Sequence, residues 1–118
     1  MATPHADPGD IVSVGPHGDA LAGSAITTTP LLRTPSLEAI RLVVPAGKET
    51  SNHTAPGDAT VHCLEGAVDF TAAGRTRRLA AGHLLYLAAG TLHAVRGVND
   101  AAVLVTIARC EPGGRDAG

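Results

Sequence analysis

From Leu37 to Ala108 the chain alternates short apolar runs of about four to eight residues with glycine-bearing turns roughly ten residues apart, the rhythm of an all-β domain. The spacing predicts strands at Leu37–Val44, Thr60–Glu65, Ala67–Ala72, Arg75–Leu79, Leu84–Leu87, His93–Gly97 and Ala102–Ala108. In the third of these, Val68 and Phe70 fall on one face while Asp69 and Thr71 fall on the other, as a half-buried strand requires. Ala72-Ala73-Gly74-Arg75 then reads as a hairpin turn, with a glycine able to take positive φ. A helix competes over Ser36 to Val44, where Ser36 would cap and Glu38 would sit in the first turn. The β-branched content, and a period of two that groups Ile40, Leu42 and Val44 opposite Arg41, favour a strand instead.

Glycines at 47, 57, 66, 74, 82, 90 and 97 have no repeated sequence around them, so they mark corners rather than internal repeats. About eight to ten short antiparallel strands in one small domain must hide their edges, and closure into a barrel or double-sheet roll does so. The first 24 residues hold three prolines, four glycines and no sustained periodicity. The expected organisation is therefore a flexible arm over 1–24, a barrel over 25–110 and a flexible tail over 111–118.

Composition narrows the function classes. At 118 residues, 44% hydrophobic and 17% charged, the chain makes one globular domain with a core. A net charge of -2 offers no positive excess to attract nucleic acid. Phe70 and Tyr86 are the sole aromatic residues, so there is no platform for stacking bases, flavins or sugars. Cys63 and Cys110 are too few for a disulfide framework, residues 1–14 do not read as a signal peptide, and no apolar run approaches the length of a membrane span. These features predict a cytoplasmic protein with reduced thiols and no nucleic-acid or membrane partner, whose ligand is held by aliphatic walls and a few polar groups.

Histidine supplies the candidate chemistry. His5 and His17 fall in the expected arm, and His83 follows Gly82 in a turn, which leaves His53, His62 and His93. His53 follows Gly47 and precedes Gly66; His93 follows Gly82 and Gly90. In this register the two stretches resemble the paired motifs of the cupin superfamily, and the similarity extends from about Leu31 to Ile107. The resemblance implies a double-stranded β-helix, or jelly-roll barrel, with its site between two antiparallel sheets, and a homodimer formed through those sheets. This chain departs from the family pattern where a second histidine is replaced by Ala55, a glutamate by Ala59, a proline by Ala88 and an asparagine by Gly97.

Half of the family's metal-ligand set is thus missing. The open facial site of non-haem iron uses two histidines and a carboxylate, and two imidazoles alone bind a divalent ion weakly. A further donor to Fe, Mn, Ni or Zn would have to be Asp58, if a bulge shifts the strand, or Cys63, which shares a face with position 59 and Val61. His62 points the opposite way, toward a packing or subunit contact, and becomes a ligand only if the register slips.

His53 and His93 therefore ligate one divalent metal, hydrogen-bond a small, largely apolar molecule without it, or are ordinary histidines satisfied within the fold. Three functions follow: a small-molecule binding module, a metal-dependent enzyme of dioxygenase or isomerase type, or a vestigial site in a protein with an interaction role. No nucleophile elbow, phosphate-binding loop or HExxH helix competes with these. The stretch Arg75-Thr76-Arg77-Arg78 reads as a solvated strand edge.

Overall fold

The computed structural model describes residues 6–15 and 25–109. Within them the chain forms eight strands and no helix: β1 Thr27–Arg33, β2 Leu37–Val44, β3 Ala59–Glu65, β4 Ala67–Ala72, β5 Arg75–Ala80, β6 Leu84–Leu87, β7 His93–Gly97 and β8 Ala101–Ala108. They make a five-stranded sheet in the order β1-β2-β8-β3-β6 and a three-stranded sheet in the order β5-β4-β7, with every pairing antiparallel. The two sheets roll around one core, as the alternation predicts.

Register follows from which residues must leave water. Ile40, Leu42 and Val44 of β2 lie opposite Val105, Val103 and Ala101 of β8, which in turn lie beside Val61 and Cys63 of β3. Slipping any of these strands by one residue would turn its apolar set to solvent, so burial fixes the pairing. Val68, Phe70 and Leu79 from the smaller sheet close the core from the other side. The competing helix over Ser36 to Val44 would have scattered the β2 residues around a cylinder and left this layer incomplete.

The turn chemistry also falls where expected. Ala73 and Gly74 both take positive φ, 51° and 78°, the pair of angles that suits a two-residue hairpin joining right-twisted strands. Gly97 has a different reason to be glycine: a Cβ there would collide with the backbone carbonyl of Pro45.

β1 departs from the sequence reading, whose clear runs begin at Leu37 and whose alternative to a flexible arm is an edge strand loosely attached within the first 24 residues. Its sequence TTTPLLR is interrupted by Pro30, which argues against a central strand but is tolerated at a sheet edge. β1 pairs with β2 alone, and its register shifts between Pro30 and Leu32. Of the expected arm, residues 6–15 contain no strand, and the Ala6 amide donates to the Arg33 carbonyl at 3.4 Å. His5, His17, Cys110 and the expected tail over 111–118 lie outside the described residues.

Candidate functional site

After β2, the chain turns at Pro45 and runs beside β7 without becoming a regular strand. Gly47 donates to the Gly97 carbonyl at 2.9 Å, Gly97 to Lys48 at 2.9 Å, and Thr50 to Val95 at 2.9 Å. The Val95 amide finds the Thr50 hydroxyl at 3.0 Å, a side chain standing in where the ladder is irregular. At the end of this seam His53 and His93 exchange both backbone hydrogen bonds, each at 2.9 Å. A narrow antiparallel bridge of this kind holds the two side chains next to each other.

The imidazole rings accordingly meet edge to face, with centroids 4.2 Å apart and an interplanar angle of 62°. His93 is buried, at 9% exposure, and its ring stacks on Phe70 at 5.6 Å. His53 is the more exposed member, at the mouth. Each ring is tied in the same way, by Nδ1 at 2.9 Å from the backbone carbonyl two residues before it: Ser51 for His53 and Thr91 for His93. A carbonyl oxygen only accepts, so Nδ1 carries a proton on both rings. In the neutral state, Nε2 is then left with its lone pair on each.

The pair stands at one end of a cavity of about 250 Å³ between the sheets. Its walls are mainly aliphatic, including Ile40, Leu42, Val61, Val103 and Ile107, with Thr28, Thr50 and Thr54 also among the lining residues. Ala55 and Ala59 both line it, so the two alanines occupy cavity positions where the resembling motif has donors.

The three further candidate donors do not join the histidines. Asp58 lies outside the cavity wall, and its Oδ1 accepts the Ala89 amide at 3.0 Å, bracing the loop that leads to His93. Cys63 does face inward with Val61 and position 59, but its Sγ lies 3.5 Å from the carbonyls of Glu65 and Gly66, away from the histidine end. Burial pushes its thiol pKa above the ordinary value. His62 alternates to the outer face, beside Leu84 and Leu104, because the register does not slip. His83 sits in its turn as expected, with Nδ1 accepting the Ala80 amide at 3.0 Å. Among the described residues no group of three or more His, Cys, Asp or Glu is arranged to hold a metal ion. Two imidazole nitrogens without a carboxylate or thiolate do not fit a tightly held first-row metal.

Sequence reasoning missed Thr50 and the ring contact of Phe70. Thr50 acts through the spacing of one irregular seam, which no periodicity reveals. The alternation did place Phe70 on an apolar face, and only its neighbour was unforeseen.

Known proteins share this arrangement of strands. A conserved protein of unknown function from Streptococcus pyogenes is 27% identical, with a TM-score of 0.68 over 75% of this chain and 77% of that one. An RmlC-like cupin family protein from Methanocaldococcus jannaschii, described as a double-stranded β-helix, is 12% identical with a TM-score of 0.71 over 88% and 94%. A mutant form of salicylate 1,2-dioxygenase from Pseudoaminobacter salicylatoxidans is 16% identical with a TM-score of 0.66 over 70% of this chain and 26% of that one. No curated protein matches. The family model described as the cupin domain matches residues 40–108, more than half of the sequence and the span from within β2 to the end of β8, so the chain belongs to the cupin domain family.

Proposed function

We propose that this cupin domain is a small-molecule binding module in which His53 and His93 accept hydrogen bonds from a ligand O–H or N–H while its apolar body fills the aliphatic cavity. The observation that carries the reading is the matched bracing of the two rings, which leaves two Nε2 acceptors without a carboxylate beside them. A dry cavity of about 150 Å³ accommodates benzene, so about 250 Å³ suits a molecule of on the order of ten heavy atoms. Small phenols and cyclic alcohols meet both requirements. In a thermal-shift panel of such compounds, at least one should stabilise the protein, and His53→Ala or His93→Ala should each reduce that stabilisation while the barrel stays folded. Shifts unaltered by both substitutions would favour the vestigial reading.

The same bracing favours a second reading, a metal-dependent enzyme of dioxygenase or isomerase type. Metal-bound histidines commonly donate the other ring N–H to a carbonyl or carboxylate. The missing third donor weighs against it. Near-stoichiometric Fe, Mn, Ni or Zn in untagged protein, lost in His53→Ala and in His93→Ala, would support the enzyme over the binding module.

We also propose a cytoplasmic homodimer. The outer face of the five-stranded sheet carries Ala39, Val43, Leu64, Ala102, Leu104, Leu84 and Tyr86, where an outer antiparallel face is ordinarily polar. Leu84 and Tyr86 are 66% and 67% exposed on its edge. Sedimentation equilibrium should give twice the chain mass, falling to the chain mass in Leu84→Glu/Tyr86→Glu; a wild-type monomer would remove the proposal.

A further inference from the structure

Residues 81–83 join β5, an edge of the smaller sheet, to β6, an edge of the larger one, and an open groove of about 650 Å³ lies between these edges. It contains neither His53 nor His93. Phe70 and Leu87 line both spaces and so partition the groove from the histidine cavity.

The three arginines of β5 are not equivalent. Arg78 also borders the groove, but its side chain alternates to the outer side of the sheet, where its Nε donates to Asp69 at 2.7 Å. Arg75 and Arg77 fall on the opposite side with Leu79, by the period of two, and their register partners are Ala72 and Phe70. They therefore take positions on the side of the sheet that carries its core residues, yet on an edge strand they extend over the groove. Among the described residues neither forms an ion pair or side-chain hydrogen bond. His83 adds a third donor: its Nδ1 accepts the Ala80 amide, so the neutral ring carries its proton on Nε2. Beneath these groups lie Leu79, Phe70, Leu85 and Leu87.

We propose that this groove binds a free carboxylate bearing an unbranched apolar tail, with the head on Arg75 and Arg77 and the tail laid over Leu79, Phe70 and Leu87. A guanidinium presents parallel donors that match the two oxygens of a carboxylate, and the floor removes the tail from water. Inward-pointing charge also keeps a sheet edge from pairing with another chain. A binding site requires more than that, because head and tail must be recognised together.

The probe is octanoate, titrated calorimetrically at low ionic strength, with acetate and 1-octanol as the head alone and the tail alone. Octanoate should bind, and acetate and 1-octanol should each bind at least about tenfold more weakly. Arg75→Gln/Arg77→Gln should weaken octanoate at least about tenfold, the scale of a lost charge-assisted contact. Ala59→Leu, which fills the histidine cavity, should leave octanoate affinity unchanged. No binding of octanoate, or equal binding by the arginine double variant, would overturn the proposal. Loss in Ala59→Leu with retention in the arginine variant would move octanoate into the histidine cavity, refuting the groove while leaving the proposed function intact.

Discussion

Restoring one carboxylate tests whether the two histidines are positioned as described. Ala59 is 4% exposed, lines the same cavity as His53 and His93, and pairs with Leu87 and Ile107 across its strand. Ala59→Glu therefore sends a carboxyl group into an aliphatic space of about 250 Å³. An unpartnered buried polar group costs about 1–3 kcal/mol, and more when charged. For a domain of this size each kcal/mol lowers Tm by about 4–8 °C, so the apo variant should melt about 5–20 °C below wild type. With the carboxylate in place the cavity holds two imidazoles and one carboxylate, the donor set of an open facial metal site. A divalent ion at a hundredfold excess over its Kd returns about 2.7 kcal/mol, enough to recover most of the loss.

The assay is thermal unfolding of wild type, Ala59→Glu and His53→Ala/Ala59→Glu, each with and without Mn, Ni, Zn or anaerobic Fe(II). Only Ala59→Glu should gain a large metal-dependent rise. The rise should grow with pH, because burial raises the carboxyl pKa and the metal must displace its proton. If Ala59→Glu shows no rise with any ion, or if the rise persists without His53, the convergence of these three side chains is refuted.

Two further outcomes follow from the packing. Burial raises the Cys63 thiol pKa, so the folded state favours the protonated form; the associated stability is present below the ordinary thiol range and is lost as pH rises through the folded value. Denaturant unfolding of wild type from pH 7 to pH 10 should lose stability with a slope of up to about 1.4 kcal/mol per pH unit relative to Cys63→Ala, and parallel curves would contradict it. Gly97→Ala should destabilise by about 1–3 kcal/mol, since its Cβ must displace the Pro45 carbonyl, and chemical denaturation within error of wild type would show that the seam yields freely.

Strands with clean period-two burial were legible in advance because one face of each had to leave water: β3 and β4 are good examples. β1 was not, since Pro30 breaks its run and only its place at an edge makes that tolerable. His53 shows a different limit. It lies outside any regular strand, and its position depends on a seam whose bonds use the Thr50 hydroxyl as well as the backbone. The family register pointed to His53 and His93, whereas the identical bracing of their Nδ1 atoms required coordinates. The failure of Asp58 to enter the cavity was also invisible to spacing, because its carboxylate is engaged by an amide on a distant loop.

That bracing bears on why the two histidines stand in an otherwise apolar wall. A histidine serving only to fill space needs no fixed tautomer, and either ring nitrogen would satisfy it. Here both rings meet a carbonyl two residues back in the chain, although one lies on an irregular seam and the other at the start of β7. Two different backbones thus converge on the same proton assignment, which leaves the same acceptor atom on each ring. With alanine at positions 55 and 59 the surrounding wall supplies no carboxylate, so the pair can act on a ligand chiefly by accepting its protons in hydrogen bonds. Such a site discriminates by penalty: a ligand that lacks a donor leaves two acceptors desolvated and unpaired, while one that carries a donor in the right place does not.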